Sequence, residues 1–352
     1  METKELLSKV EHLSSSINYW FVRTMTGDFY EDFKVNSFIS IGVDEITYED
    51  ILRSYNRNLD ENDRHKELGM MIKQKTTRTK YDYWAKMLIR FVYEIKKNDI
   101  VVVPDYSSKR FSIGKVIETQ IFQQSEYNSN VKISCDFYKR KRVEWLGEFS
   151  REQLGGRIYE MIHARHAINK IDEYKTLFNS KIHDFYFEDD IANLVINVGI
   201  TDDINAFELE EFYSLLTGFL KDFAEFEKLK VDNEKVSVKL HLQSPGLIIF
   251  TGTLVIGILL LGSLIVFSGG EFDAGIDPVT GKFRFKGKAN SLLEKINEYQ
   301  NSRIDRAERI VKLRRLQEVL KIKTIQDIEK LIKQNNEESN DSENEVDDPN
   351  ED

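Results

Sequence analysis

A single cysteine, Cys135, among 352 residues excludes an internal disulfide and any cysteine-rich zinc site. That scarcity fits a reducing compartment. The short motifs of covalent and phosphate chemistry are absent as well: there is no GxxxxGK followed by Ser or Thr, no HExxH, no GxSxG and no paired CxxC. Six histidines do not compensate. His163 and His166 stand at i,i+3, a spacing that can hold a metal, but no cysteine or carboxylate is patterned beside them, and an exposed helical pair is expected. Glu152 and Glu160 have no partner base that spacing identifies. No metal and no cofactor is therefore expected, and catalysis is not favoured. The opening stretch METKELLSKVEHLSSS lacks an apolar h-region, so no cleaved signal peptide is expected. No repeat with a period above about 20 residues is found.

Hydrophobic content of 41%, with 22 Phe and 15 Tyr, can build a sizeable core. The net charge of -10 is misleading until it is located. Residues 335–352 carry nine acidic side chains and no basic one, which leaves about -1 for everything before them. Such a run reads as a solvated, disordered spacer.

Short β-branched and aromatic runs, INYWFVRTM and SFISIGVDEI, flank a turn signal at Gly27-Asp28 and predict strands. Residues 78–97 have helical spacing, with Tyr81, Trp84, Leu88, Phe91 and Ile95 on one stripe. DIVVVPDYSSKRFSIGKVIE reads as a β-hairpin, VKISCDFYKRKRVEWLGEFS extends the sheet, and 151–178 reads as helical. From 184 to 243 the pattern is strand, amphipathic helix, strand, with Asn205 or Asp203 as helix cap. Residues 291–333 read as helices that turn basic from Arg303, with ten basic side chains against five acidic ones.

Between Lys239 and Glu271 no Asp, Glu, Lys or Arg occurs. Leu247–Phe267 is 21 residues, of which 15 are Leu, Ile, Val or Phe. As one helix it would span roughly 31 Å, close to a hydrocarbon core of about 30 Å. A chain this polar offers few apolar partners to surround such a helix, so a membrane span is expected. Pro245 suits its start and Gly269-Gly270 its end. Gly252, Gly257 and Gly262 recur every five residues, so no GxxxG dimer face is encoded.

Trp20, Trp84 and Trp145 all fall in the first half. In FYKRKRVEW, four basic residues, Lys139 to Arg142, stand between the aromatic pair Phe137-Tyr138 and Trp145. Aromatic faces beside guanidinium groups suit a nucleotide or a single base; composition alone favours tryptophans in the core and a solvated basic hairpin.

The order of these pieces shifts that balance. The series W-x-V-R, G-x-x-x-x-D-F, I-x-I-G, W-x-x-x-L-x-R-F and K-R-V-x-W-L, over about 18–178, resembles the N-terminal domain that precedes the nuclease domain in many Mrr-type restriction endonucleases. That domain is similar to the PUA/EVE-like small β-barrels, which read modified bases or nucleotides. The resemblance implies ligand contacts at Trp20, Arg23, Phe33, Gly42, Trp84, Arg90, Gly114, Arg142 and Trp145. Lys109 and Arg140 join Arg23, Arg90 and Arg142 as phosphate contacts. Two features depart from the family: Val43 stands where a Trp usually follows the glycine, and no Asp with Glu-x-Lys on adjacent strands supplies a nuclease core. Glu94-Ile95-Lys96 ends a helix instead.

The expected fold class is α+β: a mixed α/β small-barrel (PUA/EVE-like) domain at 17–182 after an arm at 1–16, and a small β-α-β layer at 183–243. One apolar transmembrane-type helix at 244–270 follows, then a turn and basic helices at 271–334 and an acidic tail at 335–352. The expected function is a membrane-anchored nucleotide or nucleic-acid sensor or effector of prokaryotic anti-phage defence, without covalent chemistry. A diverged Mrr-like endonuclease acting on modified DNA, and a membrane scaffold recruiting a partner through the basic helices, remain open. Expected partners are a nucleotide or modified nucleic acid, the lipid bilayer, a second copy of the chain and a protein of unknown identity. The expected location is the bacterial inner membrane, single-pass, with the N-terminal domain cytoplasmic.

Overall fold

The computed structural model describes residues 7–56, 60–121, 131–200, 203–228, 236–241, 246–269, 299 and 304–334. The chain divides into two compact units. One is Ser16–Ile182, the N-terminal unit; the other joins Met1–Ser15 to His183–Asp352, the C-terminal unit. The strand β1 (Glu11–Leu13) belongs to the latter.

In the N-terminal unit the chain runs β2 (Tyr19–Val22), α1 (Tyr30–Val35), β3 (Phe38–Ile41), α2 (Tyr48–Asn56), α3 (Glu61–Lys75) and α4 (Tyr81–Ile89). A π-helical turn, Arg90–Glu94, then leads into β4 (Ile100–Pro104), β5 (Arg110–Val116) and the long β6 (Lys139–Ser150). The short helices α5 (Arg151–Leu154) and α6 (Tyr159–His163), β7 (Ile168–Lys170) and α7 (Lys175–Ile182) complete it. The six strands lie in the order β3-β6-β5-β4-β2-β7. All four residues of β2 are buried, because it pairs on both edges, parallel to β4 and antiparallel to β7. Strand alternation then divides the sheet between two cores. Trp20, Val22, Val101 and Val103 face Leu68, Ile72, Leu88 and Phe91, while Tyr19, Phe21, Ile100 and Val102 face Leu154, Ile158, Met161 and Phe178.

β6 reaches two partners because its 12 residues exceed the 4 of β3 and the 7 of β5 together. Lys139–Arg142 pairs with β3, and Val143–Ser150 pairs with β5 across a bulge at Ile113/Gly114. A Cβ on Gly114 would lie 2.3 Å from Val143 Cγ1 and 2.7 Å from Trp145 Cε3, so this crossing admits only glycine.

In the C-terminal unit, β8 (Phe185–Glu188) and β9 (Ile191–Val198) form a hairpin. The helix α8 (Ala206–Phe226) follows, capped by Asn205, whose Oδ1 accepts from Phe207 N at 2.9 Å. Next come β10 (Val236–His241), β11 (Gly246–Gly252), α9 (Val255–Ser268), α10 (Ile304–Val319) and α11 (326–334). The sheet order is β1-β8-β9-β11-β10.

Here the expected transmembrane helix is overturned. Its sequence is a strand and a shorter helix: β11 lies between β9 and β10 with antiparallel ladders to both, and α9 has 14 residues. At about 1.5 Å per residue, 14 residues rise roughly 21 Å, well short of a bilayer core. Among the described residues no helix is long and apolar enough to cross a membrane, so the expected single-pass placement in a bacterial inner membrane falls with it. The polarity argument failed because the few apolar side chains elsewhere are concentrated where α9 needs them. Leu216, Phe219 and Leu220 of α8, Leu313 and Leu316 of α10, and Ile328 and Leu331 of α11 share one core with Ile258, Leu259, Leu260, Leu261 and Leu264. Every residue from Gly257 to Ser268 is buried. Ser263 and Ser268 satisfy their hydroxyls on Leu259 O (2.9 Å) and Leu264 O (2.6 Å), one helical turn back. Pro245 and the segment 271–290 lie outside the described residues, as does the acidic tail.

Candidate functional site

Within the basic-aromatic run, Lys139, Arg140 and Lys141 at the start of β6 are buried. Lys139 Nζ donates to Asp44 Oδ1 (2.7 Å), Val43 O (3.0 Å) and Ile46 O (3.2 Å). Lys141 Nζ donates to Thr119 O (2.6 Å), Ile95 O (2.8 Å) and Val92 O (3.4 Å). Arg140, on the other face of the strand, donates to Cys135 O (2.7 Å) and Phe137 O (2.9 Å) and lies 4.1 Å over Phe38. These three cations terminate backbone segments that would otherwise leave carbonyls bare. Val43, a β-branched residue at φ 67°, takes a left-handed turn that aims its carbonyl at Lys139.

Burial lowers the Lys139 pKa and pushes that of Lys141 down to about 8. The sign follows from linkage. Between about 8 and the ordinary lysine value, the unfolded chain holds more protons than the folded one, so stability rises with pH. Denaturant titrations of wild type and Lys141→Met between pH 7.5 and 10 check this. Wild type is expected to gain stability across that range, and the variant to lose that part of the slope. Cys135 is equally removed from chemistry: burial pushes its thiol up to about 11.

The remaining expected contacts are spread through the unit. Trp20 is 1% exposed and donates Nε1–H to Asp99 Oδ2 at 2.8 Å. Arg23 donates to Ile162 O (2.7 Å) and Ala164 O, at the end of α6. Phe33 is core, and Trp145 donates to its carbonyl at 3.1 Å. Trp84 is half-buried under the Arg78 guanidinium, 4.6 Å away. Arg90 donates to Ile168 O at 2.8 Å and lies 5.9 Å from the Trp20 ring. Lys109 is exposed beside Asp105, and Arg142 is exposed with Glu118 at 3.4 Å. A Cβ on Gly42 would press on the Phe137 ring at 2.9 Å. These residues do not converge on one pocket.

A cleft of about 460 Å³ lies where α2, α3, the π turn and the ends of β2 and β7 meet. Asn18, Trp20, Tyr55, Arg64, His65, Ile89, Tyr93, Glu94, Lys96 and Lys170 line it. Tyr55 and Tyr93 stack at 3.6 Å with 14° between planes, and Arg64 lies 4.6 Å over Tyr55. The extra residue of the π turn carries Tyr93 and Glu94 to this wall, a use of π bulges common at functional positions. Burial pushes the Tyr93 hydroxyl up to about 12, and that hydroxyl has no hydrogen-bond partner among the described residues. Arg64, Lys96 and Lys170 share this wall with Glu94, which is 3.5 Å from Arg90, and Lys170 is paired with Asp172 at 3.0 Å.

Of the residues expected from sequence, Trp20 alone lines this cleft, with Arg90 against its ring. Tyr55, Arg64 and His65 sit on helices the sequence reading left unassigned, and Tyr93 lies off the apolar stripe of 78–97. No local spacing links residues 55, 64, 93 and 170, so only the fold brings them together. Among the described residues no group of histidine, cysteine and carboxylate side chains is arranged to hold a metal ion.

A sequence family described as a domain of unknown function (DUF8426) matches residues 22–163, inside the N-terminal unit. No curated protein and no solved structure matches the chain.

Proposed function

We propose that the N-terminal unit is a sensing module that binds a nucleotide, or a single base of a nucleic acid, in the cleft walled by Tyr55, Tyr93 and Arg64. The observation that carries this reading is the combination in one cleft of a stacked aromatic pair under a guanidinium with two further cations, Lys96 and Lys170. Aromatic rings offer a face to any base, and an arginine with lysines at the rim suits phosphate oxygens. The volume fits one nucleotide or a comparably small ligand. The resemblance of 18–178 to base-reading domains of restriction endonucleases supports the same ligand class and a role in anti-phage defence.

Calorimetric titration of the full chain with 5′-mononucleotides, cyclic nucleotides and short single-stranded oligonucleotides tests the reading. One class is expected to bind, more weakly as salt rises. Arg64→Ala is expected to weaken it roughly tenfold or more, the size of one lost charge-assisted hydrogen bond. Arg142→Ala, on the exposed pair with Glu118, is expected to leave binding unchanged. Absence of binding across the panel sinks the proposal.

A further inference from the structure

In the C-terminal unit two carboxylates hold each other's backbone. Asp184, just before β8, accepts from Gln326 N (2.7 Å) on Oδ2 and from Asp327 N (2.9 Å) on Oδ1. It thereby caps the first turn of α11. Asp327 answers with Oδ2, which accepts from Asp184 N (2.9 Å) and Phe185 N (3.2 Å). Four backbone donors are satisfied, and the arrangement holds two half-buried carboxyl groups side by side across the start of α11. Burial first, and then the charge of Asp327, raise the Asp184 carboxyl to about 7, while the backbone N–H groups of Gln326 and Asp327 pull it back down.

The neighbouring charged groups do not relieve the pair. On α11, Glu329 is bound to Lys333 at 2.6 Å, and Lys330 follows one turn after Asp327. Beside Asp184, the His183 ring lies against Tyr186, 5.9 Å between centroids. No arginine or lysine bonds either carboxylate among the contacts described for them.

What the pair fastens is the cover of the apolar helix. Ile328, one residue past Asp327, packs directly on α9 at Gly262, where an added Cβ would lie 2.0 Å from Ile328 Cδ1. Leu331 and Ile332 continue that contact into the core. We infer that Asp184 and Asp327 form a proton-dependent clasp: sharing one proton they hold α11 on α9, and with both ionised they let α11 open locally.

Linkage gives the direction. The closed pair keeps a proton that the opened carboxylates release, so opening becomes easier as pH rises from about 4 to about 7 and levels off above. Hydrogen exchange on the full chain between pH 4.5 and 8.5, corrected for intrinsic rates, reads this directly. The opening constant of amides 326–334 is expected to rise up to about tenfold per pH unit below pH 7, then flatten. Amides of Ala206–Phe226 are expected not to follow. Asp327→Asn is the discriminating variant: Asp327 accepts both its bonds on one oxygen, which the amide oxygen can replace, and the rise should shrink, because burial still acts on Asp184 but the neighbouring charge is gone. A pH-independent wild-type profile, or the same rise in Asp327→Asn, overturns the clasp. Should Asp327→Asn fail to fold, carboxyl carbon NMR of the wild type decides: ordinary titration of both carboxylates overturns it, and a pair titrating near neutrality upholds it.

Discussion

Asp44→Ala is expected to destabilise the N-terminal unit by roughly 3 to 5 kcal/mol, the loss typical when one partner of a buried ion pair is removed. Among the described residues Asp44 is the carboxylate bonded to Lys139, whose side chain is 3% exposed. Without it the ammonium keeps only the carbonyls of Val43 and Ile46, which carry no full charge. Lys139→Met is expected to cost less than Asp44→Ala, because it removes the buried charge together with its hydrogen bonds. The ordering of the two variants in denaturant melts is the decisive result. Equal losses, or a near-neutral Asp44→Ala, would mean that Lys139 reaches water.

Leu260→Lys is expected to unfold the C-terminal unit. Leu260 is 0% exposed and surrounded by the side chains of α8, α10 and α11. The described side chains of that core are apolar, so a lysine there is desolvated at a cost of several kcal/mol plus lost packing. Against a typical domain stability of about 5 to 15 kcal/mol this leaves little or nothing. Thr253→Lys, exposed in the turn between β11 and α9, is the control and is expected to change stability by no more than about 0.5 kcal/mol. Circular dichroism melts separate the two. A folded Leu260→Lys protein with unchanged melting would show that α9 is not enclosed as described.

How much of this was legible differs from element to element. β2, β3 and the β4–β5 hairpin were readable because β-branched and aromatic residues cluster between polar turns, and a strand buried on both faces needs only such a run. The helical stripe at Tyr81–Ile95 was readable as far as Ile89, but the π turn at Arg90–Glu94 left no mark in the spacing, and it is the turn that delivers Tyr93 to the cleft. The Lys139–Lys141 run read as a solvated or ligand-facing stretch because its acceptors are carbonyls from 43–46, 92–95 and 119, and carbonyls are present at every residue of every sequence.

By itself the sequence determined the local alternatives: where strands and helices are favoured, that a helix starts after Asp203 or Asn205, and that 244–270 must leave water. Which apolar surroundings receive that segment was decided by tertiary structure alone. Hydropathy measures the transfer of a side chain out of water and is blind to whether lipid tails or Leu216, Leu313 and Ile328 stand on the other side. The same reason leaves Trp20 in the core at the edge of the cleft and Lys141 on backbone carbonyls. Composition places a ring or a charge in the chain, and only packing settles whether it meets solvent, a ligand or the backbone of a distant turn.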